Sequence, residues 1–227
     1  MGLNNAHEGY DYQDLIISYF ILKEILAGNK DSIFSIDKKH TTGNIADRFD
    51  DLVIVNSRYT HRKQIKYSND SVSKKLTKDD LSADSQYKLA IYKLFETWRD
   101  LRTPETEFRL CLAWNEPTDD NICRVLRQEN LTLSFDDDVT KIFKINLDNL
   151  WEINPVKFNR WNNFKNYVIE NSLDRNIFNN FCNDLLIETN FPKASLEFDK
   201  PNDLEKILKI TQKSYTTTLV FITMTLI

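Results

Sequence analysis

Glycine is scarce in this chain of 227 residues: there are four, Gly2, Gly9, Gly28 and Gly43. None follows residue 43, so no glycine-rich phosphate loop or dinucleotide fingerprint can lie beyond it. That removes the usual nucleotide-binding folds from the first rank. Three histidines (His7, His40, His61) and three cysteines (Cys111, Cys123, Cys182) occupy separate stretches. No HExxH or CxxC spacing occurs, which argues against a zinc site. Sparse cysteines in odd number point to a reducing cytosol and to no disulfide framework. Long apolar runs are missing too. Leu15 to Leu26 is broken by Ser18, Lys23 and Glu24; it is too short to span a bilayer and reads as a buried helix. Met1 to Glu8 is polar, with no signal-peptide core. Leu219 to Ile227 is shorter still, and reads as a strand or as the cut edge of a longer polypeptide.

What is present is an ordinary globular composition, 41% hydrophobic and 28% charged. A mass of 26.8 kDa suits one sizeable domain, with or without a small appendage. The net charge of −4 argues against a generally basic nucleic-acid coat. Its distribution is uneven, however. Between Arg58 and Lys78 there are seven cations (Arg58, Arg62, Lys63, Lys66, Lys74, Lys75, Lys78) against one acid, Asp70, while acids gather elsewhere, as in Asp136-Asp137-Asp138. One basic segment in an acidic chain is a candidate phosphate-facing surface. A solvated loop between two elements would carry the same run.

The pattern of elements starts with a helix from about Tyr10 to Leu26, stopped by Gly28-Asn29, whose apolar residues nearly encircle it and imply burial on more than one side. Ser32 to Asp37 alternates like a short strand, and Lys38 to Arg48 is a polar loop or wide connection. Asp51 to Val55 and Thr60 to Tyr67 form a second and third strand around the turn Asn56-Ser57-Arg58-Tyr59. A polar linker leads to a long helix, Asp80 to Arg102, with one apolar stripe (Tyr87, Ile91, Leu94, Phe95, Trp98, Leu101), ended by Pro104. Phe108 to Trp114 is a fourth strand. Asp119-Asp120 caps a short helix through Arg127, and Ile142 to Ile145 is a candidate fifth strand. From Lys157 the pattern is mainly helical, with a second helix around Ile177 to Ile187 and a last amphipathic piece (Leu204, Ile207, Leu208). The expected order is α-β-β-β-α-β, an α/β fold with a mixed sheet flanked by helices on both faces, plus a C-terminal helical extension. The expected division is 1–150 for the core domain and 151–227 for the extension.

Chemistry concentrates on the second and third strands. Twelve residues lie between Asp51 and Gln64-Ile65-Lys66. Gln64 and Lys66 share a strand face while Ile65 points the other way. A hairpin of this length can bring Asp51 close to both. The cluster offers one anionic ligand, one amide oxygen and one cation. It can hold a divalent metal through Asp51, Gln64 and the Ile65 carbonyl, with Lys66 on a metal-activated water or a phosphate oxygen. Phosphodiester hydrolysis needs those functions. Surface strands often carry Gln and Lys, so the spacing alone is a degenerate signal. Its context adds to it: Leu52-Val53-Ile54-Val55 is core-like, helices lie before and after, and the basic segment starts at the motif.

The order α-β-β-β-α-β, with Asp on the second strand and QxK on the third, resembles the PD-(D/E)xK, restriction-endonuclease-like superfamily, in its QxK or Mrr-type variant. Gly9-Tyr10-Asp11-Tyr12-Gln13, Phe49-Asp50-Asp51-Leu52-Val53 and Lys63-Gln64-Ile65-Lys66-Tyr67 together look like the double-stranded-DNA nuclease domains of bacterial antiphage systems. Such domains serve as effectors of cyclic-oligonucleotide (CBASS) signalling, head large STAND-type ATPases, or act beside a HerA-like helicase. The resemblance covers roughly residues 6–130. It implies a metal carboxylate at Asp51 with Asp50 beside it, an amide ligand at Gln64, a catalytic lysine at Lys66 and a site-lining polar residue at Gln13. The acid at the end of the first strand would be Asp37, where many relatives carry Glu. Local roles compete at two of these positions: helix capping or hydrogen bonding for Gln13, a strand-end turn for Asp37.

His61 falls on the Ile65 side by alternation, so it is structural or DNA-facing and no base. Cys111 lies in an apolar strand and reads as core. The four tryptophans suit packing. The expected activity is Mg2+-dependent (Mn2+ as substitute) cleavage of double-stranded DNA, weakly sequence-selective. The duplex would be gripped through phosphates by Arg58, Arg62, Lys63, Lys74, Lys75 and Lys78. The resemblance further implies a cytoplasmic homo-oligomer, or a sensor or ATPase partner in a defence complex, and no membrane. The alternatives are a catalytically silent nuclease-fold module for nucleic-acid binding or assembly, which Gln64 in place of a second carboxylate permits, and an interaction domain of a sensor.

Overall fold

A computed structural model describes residues 2–37, 47–68, 74–83, 89–131, 140–158 and 161–191, with only the backbone for 2–8. The expectations placed on 38–46 and on 192–227, including the last amphipathic piece and the terminal apolar run, lie outside those residues. Seven strands form one mixed sheet in the order β1-β2-β3-β4-β7-β6-β5. These are β1 (Ile33–Ile36), β2 (Leu52–Val55), β3 (Thr60–Lys66), β4 (Thr106–Leu112), β5 (Leu126–Glu129), β6 (Lys141–Ile145) and β7 (Leu185–Thr189). β1, β2 and β3 are antiparallel neighbours; β3, β4 and β7 run parallel; β6 and β5 close the far side antiparallel. The fold is α/β with helices on both faces, as the element order predicts.

Helix α1 (Gly2–Leu26) covers one face. Tyr12, Ile16 and Phe20 are spaced by four, and with Ile17 they form its buried stripe. They meet Leu52, Ile54, Ile65 and Cys111 of the sheet. Tyr10, Ile25 and Leu26 are exposed, so the helix buries one broad stripe and is not enclosed. Its nearly unbroken apolar run marks the width of that stripe. Gly28, at φ 75, turns the chain back toward β1.

The opposite face is covered by α3 (Ile91–Leu101), α6 (Asn162–Glu170) and α7 (Arg175–Asp184). An aromatic cluster fills this layer: Phe95, Trp98, Phe178 and Phe181 lie 5.1–5.7 Å apart, ring centre to ring centre. The Trp98 indole N–H donates to Asp184 Oδ2 at 3.0 Å, which satisfies the ring's one polar atom. Truncating so buried a ring would cost about 3–5 kcal/mol.

Three expectations change. The long helix of 80–102 is two helices, α2 (Lys78–Ser82) and α3. Asp80 explains the first. Its Oδ2 accepts from the Thr77 N–H and hydroxyl at 2.9 and 2.7 Å, a cap that starts α2 at Lys78, and the chain leaves the helix at Ala83 with ψ 137. The apolar stripe persists in α3, where Ile91, Leu94, Phe95 and Trp98 are buried. Second, the helix after Asp119 (α4, Asp120–Cys123) ends before Arg127, which lies in the edge strand β5. Third, the helix expected over 177–187 stops at Asp184, and Leu185–Thr189 becomes β7, wholly buried between β4 and β6. A strand covered on both faces shows an apolar run without alternation, so it blends into a preceding helix. The boundary expected at residue 150 therefore does not divide the sheet: α6 and α7 share the core of α3, and β7 is central to it. Helix α5 (Leu147–Trp151) links β6 to this layer.

Candidate active site

The site forms where β1 ends, β2 begins and β3 finishes. Pairing of β2 with β3 runs from Val55↔Thr60 to Leu52↔Lys63 and stops there. On its other edge β3 continues along β4. The Thr60 N–H donates to Glu105 O at 3.0 Å, and the Lys66 carbonyl accepts from the Ala113 N–H at 2.9 Å. Even-numbered backbone groups of β3 thus turn toward β4, and those of odd-numbered Ile65 turn toward β2. There Asp51 stands in for the missing ladder partner. Its Oδ2 accepts from the Ile65 N–H at 2.6 Å and also from the Gln64 side-chain amide. The three consecutive residues Gln64, Ile65 and Lys66 therefore reach Asp51 by an amide, a main-chain group and a charge.

Asp51 is 8% exposed, and burial pushes its carboxyl up to about 6. The Lys66 charge and the Ile65 N–H oppose that rise; the neighbouring charges of Asp50 and Asp37 add to it. Asp37 has φ 49, a left-handed conformation that Asp tolerates at a strand end. Its N–H extends the β1–β2 ladder to Asp51 O at 3.4 Å. Its exposed side chain accepts from Gln13 Nε2 at 2.9 Å. Gln13 lies one residue after Tyr12, whose ring stacks on Tyr67 at 4.6 Å and ties α1 to the end of β3. The structure thus places Asp37, Asp50, Gln64, Ile65 and Lys66 around Asp51, and Gln13 reaches this group through Asp37.

These groups suit a hard divalent cation. Asp51 supplies a buried carboxylate whose pKa is raised chiefly by desolvation, a cost that a bound cation would offset. The Ile65 carbonyl lies on the same strand edge as its N–H. Gln64 points its nitrogen at Asp51, and a half-turn of that amide would present its oxygen instead. Among the described residues no three His, Cys, Asp or Glu side chains gather as an ion site. A cation here would depend on Asp51 with neutral oxygen ligands from Gln64 and Ile65.

The predicted phosphate-facing cations divide. Arg62 is buried, and its Nη1 lies 3.4 Å from Asp47 Oδ2, whose side chain is fully buried. Lys63 is 3% exposed on the α1 side, its Nζ 4.4 Å from the centre of the Phe20 ring. Neither faces a duplex, which corrects their assignment: alternation along β3 turns Arg62 and Lys63 into the two packed layers, not outward. Lys74 binds Asp80 Oδ2 at 2.7 Å and lies over the Trp114 ring at 4.3 Å. The exposed cations are Arg58, which donates to Asn29 Oδ1 at 2.6 Å, and Lys75, which donates to Thr118 Oγ1 at 3.2 Å; Lys78 is half-buried at the start of α2.

His61 stacks on Tyr59 at 4.2 Å on the Ile65 side, and burial, with the Lys63 charge, lowers its pKa to about 4. It is neutral near pH 7, in keeping with a structural role. Cys111 is fully buried and pushed up to about 12, chiefly by desolvation, so it is no nucleophile. On this face Arg109 bridges Glu188 Oε1 at 2.7 Å and Glu107 Oε2 at 2.9 Å. The tryptophans pack: Trp98 and Trp161 are fully buried and Trp114 nearly so.

Two residues escaped the sequence reading. Arg48 and Lys93 line a pocket with Gln64, Lys66, Leu89, Ala90 and Leu94, next to Asp51. Lys93 sits in α3, 27 residues after Lys66, and only packing of α3 on the sheet joins them.

No protein-family model and no curated protein matches the chain. No helix among the described residues is long and apolar enough to cross a membrane.

Proposed function

We propose that the chain is a metal-dependent endonuclease acting on double-stranded DNA with little sequence preference. The observation that carries this reading is the convergence of Asp51, Gln64, the Ile65 main chain and Lys66 where β2 and β3 part. A buried acid beside a lysine, at the rim of a sheet rather than within its core, suits phosphoryl chemistry better than fold stabilisation. Bound Mg2+, or Mn2+ in its place, would supply charge neutralisation and a nucleophile formed at neutral pH.

The chain's own residues have separate tasks in this scheme. Asp51 and the Gln64 amide oxygen would hold the ion. Lys66 holds a phosphate oxygen and stabilises charge that grows on it in the transition state. Gln13 holds Asp37 in place through its 2.9 Å hydrogen bond and so shapes the outer wall. By the same proposal the protein works in the bacterial cytoplasm as an antiphage effector. It acts as a homo-oligomer or with a sensor or ATPase subunit that restrains it.

A plasmid-nicking assay with and without Mg2+ tests the reading. Wild-type protein should relax supercoiled plasmid only with the metal, and Lys66→Ala should lose cleavage by at least a hundredfold while keeping its fold. Cleavage by Lys66→Ala at the wild-type rate would sink it. A second reading is favoured by one observation: Gln64 and the Ile65 N–H already satisfy Asp51 Oδ2. A silent module that binds DNA or assembles a complex would keep that arrangement and bind no Mg2+ or Mn2+ through Asp51.

A further inference from the structure

The pocket beside the candidate active site is lined by three cations from three separate elements: Arg48 before β2, Lys66 at the end of β3 and Lys93 in the first turn of α3. Gln64 adds an amide, and Leu89, Ala90 and Leu94 form an apolar wall. Among the described residues none that lines it is acidic. Three cationic side chains directed at one concavity offer the donors and the positive charge that a bound anion takes. The first turn of α3 adds to the same field. Its N-cap is Ala90, which offers no side-chain acceptor, and the turn carries no acid.

We propose that Arg48, Lys66 and Lys93 form a pocket for a phosphodiester oxyanion, the DNA phosphate next to the one cleaved. The inference rests on the nuclease reading and adds to it how the strand is held. Lys66 belongs to both places, since it acts on the Asp51 charge and also lines the pocket. A strand with one phosphate at Asp51 and Lys66 would carry its neighbour onto Arg48 and Lys93. The apolar wall suits the face of a deoxyribose. Arg48 offers a planar fork of donors and Lys93 a point charge, a pairing suited to a tetrahedral anion. This site takes the place of Arg62 and Lys63, which packing withdraws from any strand.

The test is duplex binding by the full chain without divalent metal, followed by fluorescence anisotropy across a salt series. Arg48→Gln and Lys93→Gln should each weaken binding about tenfold. The double variant should reduce the slope of log K against log salt by about 0.9, one phosphate's worth of released counterions. Lys93→Arg should retain the wild-type slope, and thermal unfolding should show that all variants fold. Unchanged affinity and slope in the folded double variant would overturn the proposal, as would absence of duplex binding by the wild type. Inorganic phosphate forms a second arm. If the wild type binds it and the double variant does not, yet the duplex slope is unaltered, the pocket serves a free phosphate and the proposal falls. Plasmid cleavage with Mg2+ judges the nuclease reading separately. Wild-type cleavage with an unaltered slope rejects only the pocket; an altered slope without cleavage rejects only the nuclease.

Discussion

The Ile65 N–H donates to Asp51 Oδ2 at 2.6 Å across the gap that opens where β2 ceases to pair with β3. A side-chain acid therefore completes the ladder, and it does so in a place dry enough to hold its carboxyl near 6. The same contact caps a strand edge and fixes the acid against Lys66.

Asp51 should make the fold less stable as it ionises. Its folded pKa of about 6 lies above the ordinary 3.8, so the folded chain binds the proton more tightly. Stability falls as pH rises from about 4 through 6, and the full cost, up to about 3 kcal/mol, is present above that window. In EDTA, Asp51→Asn should melt above the wild type at pH 8 and level with it at pH 4. A lower melting temperature for the variant at pH 8 would contradict the burial cost.

His61 acts in the opposite direction. Its pKa is lowered to about 4 from 6.5, so protonation favours unfolding. Its contribution is complete above about 6.5 and is lost as pH falls toward 4. His61→Gln should flatten the loss of thermal stability between pH 7 and pH 5. An equally steep loss in the variant would assign that acid sensitivity to other groups.

A second carboxylate at Gln64 should expose the cation site. Gln64→Glu places two acids against each other, since the Gln64 amide already touches Asp51. Without metal the like charges should lower the melting temperature at pH 8. Millimolar Mg2+ or Ca2+ should restore it by several degrees more than it raises the wild type. Equal metal responses in the two proteins would argue against a cation at this place.

Arg62 should matter to folding and not to DNA. Asp47→Ala leaves the buried Arg62 charge without its partner at 3.4 Å and should cost about 3–5 kcal/mol. Arg62→Met should leave duplex affinity and its salt slope at wild-type values. A slope reduced by about one would return Arg62 to the DNA-facing set.

Local pattern alone gave the α/β class, the first helix, the early strands and the spacing of Asp51 from Gln64-Ile65-Lys66, because side-chain period and turn chemistry are written over a few neighbouring residues. The resemblance to the PD-(D/E)xK nucleases, and not local pattern, grouped Gln13 and Asp37 with them. Tertiary structure decided the rest. Leu185–Thr189 reads as a helix end but becomes a central strand, since burial on both faces erases alternation. Arg62 and Lys63 read as a basic surface, yet one meets Asp47 and the other Phe20, because neighbouring residues of a strand enter opposite layers. Arg48 and Lys93 carried no local signal at all: they lie 45 positions apart, and only the seating of α3 on the sheet sets both beside Lys66.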